Sequence, residues 1–300
     1  MFISKLVLHR INGNMIYPLL ANEIDSKDKL LKPDLSQKSG RELLAFYLQT
    51  KLKQLLAFDK KCQKPMIVEV RPDFISKFSK RLINNPDKRL LIGITGASAS
   101  GKSTICAQIQ RITQDLEMPV SILSTDNYFK DISSLILKYG SFDKLRDSGY
   151  DIDSPNGFQL DVLADDLENL SIGHNIKSPK YLPNGTGVSV PNSISVKAEK
   201  IIIIEGTATL FDGIKDIFDI KIYIEADDEL RKKRFMQRAS SERNQDQENA
   251  LKHWEYLIGA GQKYIEPTRK DADIIVNGDA DLDYLSQILE YLHYITNSFQ

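Results

Sequence analysis

The feature that most constrains this chain is a run from Leu90 to Leu116, LLIGITGASASGKSTICAQIQRITQDL, in which an apolar strand, a glycine-bounded loop and an amphipathic helix follow without a break. Leu90, Leu91, Ile92 and Ile94 lack polar alternation and read as a strand covered on both faces. Ile105, Ile109, Ile112 and Leu116 recur at helical spacing. Between them, Gly96, Ala97, Ser98, Ala99, Ser100, Gly101, Lys102 and Ser103 fill the phosphate-loop pattern, with Thr104 opening the helix. Gly96 and Gly101 can take backbone angles that a side chain forbids, so successive amide N–H groups turn onto phosphate oxygens. The helix points its positive end at the same anion. Lys102 should reach the outer phosphates and the Ser103 hydroxyl should ligate Mg²⁺, which predicts a site for ATP and Mg²⁺.

Charge and cysteine usage narrow the classes. With 40 Lys and Arg against 41 Asp and Glu, nothing argues for a nucleic-acid or membrane surface, and any positive field must be local. Cys62 and Cys106 lie far apart, and Cys106 falls in the loop's helix, a poor place for a disulfide framework. That pattern suits a reducing cytoplasm. Lys5 and Arg10 interrupt any apolar leader, and no run approaches a membrane span, so the expectation is a soluble, unsecreted protein.

From Arg89 onward, strand and helix patterns alternate. Val120–Thr125, the four isoleucines from Ile201 to Ile204, Ile220–Ile224 and Asp273–Val276 follow the first strand. Their order predicts an α/β fold, a P-loop NTPase-type parallel sheet with helices on both faces. A long insertion, 126–200, separates the second and third strands. A final amphipathic helix is expected over Leu282–Thr296. Residues 1–87 form a mainly helical extension of undetermined role. It is read as a hairpin turning at Asn12-Gly13, a helix from Gly40 to Phe58, a strand over Met66–Val70 and a further helical face carrying Phe74, Ile75, Phe78 and Leu82.

In open α/β sheets, ligands sit beyond the carboxyl ends of the strands. Asp126 follows the second strand, where it could accept a hydroxyl proton, hold Mg²⁺ or simply cap a helix. Glu205 ends the isoleucine strand, where an acid needs a cation or donors; a magnesium role is favoured over a structural ion pair. After the fourth strand comes a basic helix with Arg231, Arg234 and Arg238 on one face, then Arg243. Such a run is usually a solvated face, but beside a phosphate loop it can serve as a lid over the phosphoryl group. The histidines form no cluster with cysteine that suggests zinc.

The residues Gly96–Ser103, Ser124-Thr-Asp126-Asn-Tyr-Phe129, Tyr150-Asp-Ile-Asp153-Ser-Pro155-Asn-Gly-Phe158, Pro179-Lys-Tyr181, Ile204-Glu205-Gly206, Ser241-Glu-Arg243-Asn-Gln-Asp246, and Ile265-Glu-Pro267-Thr268 through Ala272-Asp-Ile-Ile together resemble the uridine kinase branch of the phosphoribulokinase/uridine kinase family. The resemblance covers about Arg89 to Gly278. It implies that Asp126 is the general base, that Asp153 grips ribose hydroxyls, that Glu205 helps hold Mg²⁺, and that Arg238 and Arg243 belong to the lid. Tyr181, Phe129 and Phe158, from the same segments, are expected against the acceptor. It further implies a kinase domain over 88–300, with 126–200 as the acceptor-binding insertion and 227–247 as the lid. The sequence departs from the family at Leu182 and Thr186, where an aspartate and a histidine are usual, at Ser154, usually histidine, and at Gln245, usually arginine.

The function implied is an ATP-dependent kinase acting on the primary hydroxyl of a nucleoside of the uridine or cytidine kind. The alternatives are a related kinase for another small alcohol, such as pantothenate or a sugar phosphate, a nucleotide-dependent switch, and a degenerate nucleotide-binding protein. A small-molecule alcohol is the expected partner, and the sequence leaves room for a homo-oligomer.

Overall fold

The computed structural model describes residues 59–280 except 86, 116–118, 183–184 and 242–245; before residue 59 it describes positions 10–11, 14–15, 37–38, 40–42, 49, 52–53 and 56–57. Near the start, β1 (Arg10–Ile11) pairs antiparallel with β2 (Asn14–Met15), flanking the expected Asn12-Gly13 turn, which itself lies outside the described residues. Every described position from Lys38 to Asp59 is helical, in keeping with the helix expected from Gly40 to Phe58. The predicted helix over Leu282–Thr296 also lies outside the described residues.

The body of the protein is a six-stranded sheet ordered β3-β10-β9-β4-β8-β5. It comprises β3 (Ile67–Val70), β4 (Leu90–Thr95), β5 (Val120–Ser124), β8 (Ile201–Glu205), β9 (Ile220–Glu225) and β10 (Ile274–Asn277). Five strands run parallel, as their alternation with helices predicts; β3 joins the edge antiparallel to β10, pairing Val70 with Ile274 and Glu69 with Ile275. β4 is buried along its whole length between β8 and β9. This accounts for its unbroken apolar sequence, since a strand with neighbours on both edges and helices on both faces has no side for polar residues.

Helices cover both faces. On one, α1 (Phe74–Asn84) and α2 (Lys102–Asp115) place Phe78, Leu82, Ile105, Ile109 and Ile112 in a core with Ile92, Ile94 and Ile203. On the other lies α5 (Leu160–Ser171), preceded in the chain by two short helices, α3 (Ser133–Tyr139) and α4 (Phe142–Asp147), that pack in a cluster of their own around Ile132 and Ile152. Leu163, Leu167 and Leu170 of α5 pack with Leu91, Ile202, Ile204 and Ile275. Each such side chain contributes about 1.5–3 kcal/mol on burial. The insertion 126–200 therefore includes one helix of the main core. Its remainder is the two short helices and an antiparallel hairpin of β6 (Ile176–Tyr181) and β7 (Ser189–Val196).

The segment before residue 88 is tied into the same sheet. The Asp59 carboxylate accepts from the amides of Met66 and Ile67 at 2.7 and 3.0 Å. Arg81 Nε donates to Asp219 at 2.6 Å, and the other oxygen of Asp219 accepts from the Leu91 amide at 2.8 Å. A domain limit at 87/88 would sever the edge strand from its neighbour. Two more helices, α6 (Asp228–Ser241) and α7 (Gln247–Ala260), follow β9 and stand over the carboxyl end of the sheet. Among the described residues, no helix is long and apolar enough to cross a membrane.

Candidate functional site

The loop between β4 and α2 turns through Gly96 at φ +150°, Ala99 at +61° and Gly101 at +110°. At Gly96 a Cβ would lie 2.3 Å from the Ile224 carbonyl oxygen, so glycine is required there both for its angle and for its space. Lys102 Nζ donates to the carbonyl oxygens of Gly96 at 2.6 Å and Ala97 at 3.1 Å. Its burial holds the ammonium below the usual lysine range, while Glu205 and Asp126 pull the other way.

A cleft of about 350 Å³ opens over this loop. Its walls include Ser98 through Thr104, Asp126, Glu205 and Arg238. Residues from four distant parts of the sequence thus meet at the carboxyl end of the sheet. Asp126 is exposed at the start of a 3-10 turn over Thr125–Tyr128, which is capped by the Ser124 hydroxyl oxygen accepting from Asp126 N at 3.4 Å. The turn is pinned from behind by buried Tyr128, whose hydroxyl donates to Asp166 at 2.7 Å. Glu205 is half-buried at the end of β8. The oxygens of Ser103, Asp126 and Glu205 are hard donors suited to Mg²⁺. Among the described residues no group of three or more His, Cys, Asp or Glu could hold a metal ion.

Asp153 lies in the segment between α4 and α5. Burial, then the neighbouring Asp151 and Asp126, push its carboxyl up to about 7, opposed by Lys102. Asp153 is thus within electrostatic reach of both the loop lysine and the acid after β5. Asp151 is held by Tyr256 of α7, whose hydroxyl donates to it at 2.7 Å. Phe129 stacks on Phe158 with centroids 4.3 Å apart and meets Tyr181 at 5.2 Å. Phe158 itself is 1 % exposed and packs edge-on against Phe211, so it supports Phe129 from behind instead of offering a face to a ligand.

Arg243 and Gln245 lie outside the described residues. Arg234, which shares the helical face of Arg238, also lines the cleft and donates to the Gly278 carbonyl and to Asp279 at 3.1 and 3.2 Å. Gly206 and Thr207 line it as well. The spacing of Arg231, Arg234 and Arg238 signals one face, but not which of the three reaches the cleft. A roomier cavity of about 710 Å³ lies at the opposite ends of the strands, among Arg81, Arg89, Asp219 and Asp273, and contains none of the loop residues.

The sequence model of the Phosphoribulokinase / Uridine kinase family matches residues 91–283. A protein named uridine kinase from Clostridium perfringens is 35% identical over 193 residues, spanning 62% of this chain and 86% of that protein. Uridine-cytidine kinase A of Dictyostelium discoideum is 34% identical over 207 residues, which are 68% of this chain and 38% of the longer protein. Among solved structures, phosphoribulokinase from Rhodobacter spheroides aligns over 64% of this chain and 70% of its own at 14% identity, with a TM-score of 0.45. With a family match over more than half its length, this chain belongs to the phosphoribulokinase/uridine kinase family.

Proposed function

We propose that this protein transfers the γ-phosphoryl group of ATP to the primary hydroxyl of a nucleoside of the uridine or cytidine kind. The observation that carries the reading is the single cleft in which the P-loop, Asp126, Glu205 and Arg238 converge, with Asp153 close enough to feel both Lys102 and Asp126. The names of the relatives supply the nucleoside.

In this reading the loop amides from Ser98 to Thr104 hold the β- and γ-phosphates. Lys102 exchanges its two carbonyl partners for phosphate oxygens. Ser103, Glu205 and Asp126 would hold Mg²⁺, which when bound would neutralise charge on the phosphates. Asp153 accepts hydrogen bonds from the ribose hydroxyls, and Tyr181 and Phe129 face the acceptor. Asp126 removes the hydroxyl proton as that oxygen bonds to the γ-phosphorus; the bond from phosphorus to the bridging oxygen breaks and ADP leaves. Lys102 and Arg238 stabilise the transferring group, and Arg243 is assigned the same role.

ATP consumption with Mg²⁺ across uridine, cytidine, other nucleosides, pantothenate and sugar phosphates, with Lys102→Ala as the blank, tests the assignment. Turnover on uridine or cytidine is expected. Turnover confined to another alcohol would retain the chemistry and reassign the acceptor, the outcome to which Leu182 and Thr186 in the hairpin are relevant. ATP binding without turnover would overturn the enzyme reading. Asp126→Asn should lower turnover by ~10² to 10⁴, the usual contribution of a positioned base; full activity in that variant would remove the base assignment.

A further inference from the structure

Arg231 stands in the first turns of α6 and is 3 % exposed, a burial that a guanidinium tolerates only against acceptors or anions. Its Nε donates to the carbonyl oxygen of Ser98, in the middle of the P-loop, at 3.0 Å. Nη1 donates to Asp228 at 2.6 Å and lies 4.0 Å from Glu266. The guanidinium carbon is 5.6 Å from the ring centroid of Trp254 on α7. Nη2 is buried without a hydrogen-bond partner. Arg234 and Arg238 of the same helix line the nucleotide cleft, whereas Arg231 is built in beneath the loop.

A loop that turns its amides inward onto an anion must turn carbonyls outward, and an outward carbonyl in a buried place needs a donor. Arg231 supplies that donor to Ser98. Its positive charge is also felt at Lys102, where it favours loss of the proton. An ion pair serving folding alone would not explain the burial, because the side chains of Asp228 and Glu266 are 64% and 43% exposed and need no buried partner.

We propose that Arg231 is a positioning residue that couples the P-loop backbone, through the Ser98 carbonyl, to α6 and to Trp254 on α7. The inference rests on the reading of the cleft as an ATP site. When phosphates engage the amides around Ser98, the carbonyl and its guanidinium partner shift together against the indole ring. Trp254 is the chain's single tryptophan, so its emission reports the coupling directly.

The test uses the full chain and its Arg231→Met and Arg231→Lys variants. MgATP binding is measured by calorimetry and by Trp254 emission, and KM is measured separately for ATP and for the acceptor. In the wild type, the emission change should saturate with calorimetric binding. Arg231→Met should raise the KM for ATP at least tenfold, leave the acceptor KM within twofold and abolish the emission change, and Arg231→Lys should recover part of both. If Arg231→Met fails to fold, Arg231→Lys, which keeps the charge but loses the planar fork, must still show the ATP-selective rise in KM. A folded Arg231→Met variant with wild-type KM for ATP and wild-type emission overturns the proposal. So does an equal rise in both KM values, the mark of general loosening. Absence of ATP binding by the wild type in calorimetry overturns the reading of the cleft and the coupling with it.

Discussion

The ammonium of Lys102 rests on its own loop, donating to the carbonyl oxygen of Gly96 at 2.6 Å and to that of Ala97 at 3.1 Å. These two contacts hold the side chain along the path that phosphates would take, so binding ATP exchanges neutral acceptors for anionic ones, which form the stronger bonds. Lys102→Ala should lower turnover by ~10² to 10³, the scale for loss of one preorganised donor to a developing charge. A coupled assay of ADP release checks it, with melting temperature as the control for folding.

Asp153 gives the protein a pH dependence near neutrality. Its carboxyl is pushed up to about 7 by burial and by Asp151 and Asp126. The ionised form offers both oxygens as acceptors and makes the stronger bonds to hydroxyls, so kcat/KM for the acceptor should rise with pH and level off above about 7. Stability moves the other way. The unfolded carboxyl ionises near 3.8, so between that pH and about 7 the folded chain holds the extra proton, and raising the pH destabilises it. Without substrate, Asp153→Asn should therefore melt higher than wild type at pH 8 and show no gain from this source at pH 3, about 2–4 °C for each kcal/mol removed. Thermal melts across that range, compared with the acceptor profile, decide the matter.

Gly206 links the two acids of the cleft. A Cβ there would lie 1.9 Å from Thr125 Oγ1, and the backbone holds φ +142°. Gly206→Ala must push apart the end of β8, which carries Glu205, and the turn that carries Asp126. A loss of about 1–3 kcal/mol in stability is expected from strain of this kind. Turnover should fall more than the melting temperature alone would explain. Thr125→Ala in the same chain, by removing the hydroxyl, should return part of the stability; an unchanged double variant would show that the close approach is not the cause.

The edge of the sheet makes a prediction about where the chain can be shortened. A chain beginning at residue 88 lacks β3 and the buried Phe74, Phe78 and Leu82, and leaves Asp219 without Arg81. Loss of three buried side chains at about 1.5–3 kcal/mol each approaches the whole stability of a typical domain. Such a chain should be insoluble or molten by near-ultraviolet circular dichroism, whereas one beginning at Asp59 should retain the wild-type signal and a cooperative melt.

What the sequence by itself determined is local in origin. The loop from Gly96 to Ser103 was legible because its conformation depends on glycines and a lysine at fixed offsets. Its flanking strand and helix were legible because apolar runs and helical periods are written in neighbouring residues. The positions of Asp126 and Glu205 in the cleft followed from one topological rule, that ligands sit beyond the carboxyl ends of parallel strands.

Tertiary structure decided what depends on partners far apart in the chain. Glu69 pairs with Ile275 across about two hundred residues, and no local pattern in Ile67–Val70 says which edge of the sheet it will join, or in which direction. Arg231, Arg234 and Arg238 share a helical face in sequence, yet packing against Ser98 and Trp254 buries the first while the other two reach the cleft. Phe158 reads like Phe129 as a residue, but Phe211 and Phe129 enclose it. Burial and hydrogen-bond partnership are properties of the assembled surfaces, and a guanidinium or an aromatic ring carries in sequence no mark of which side of it will meet water.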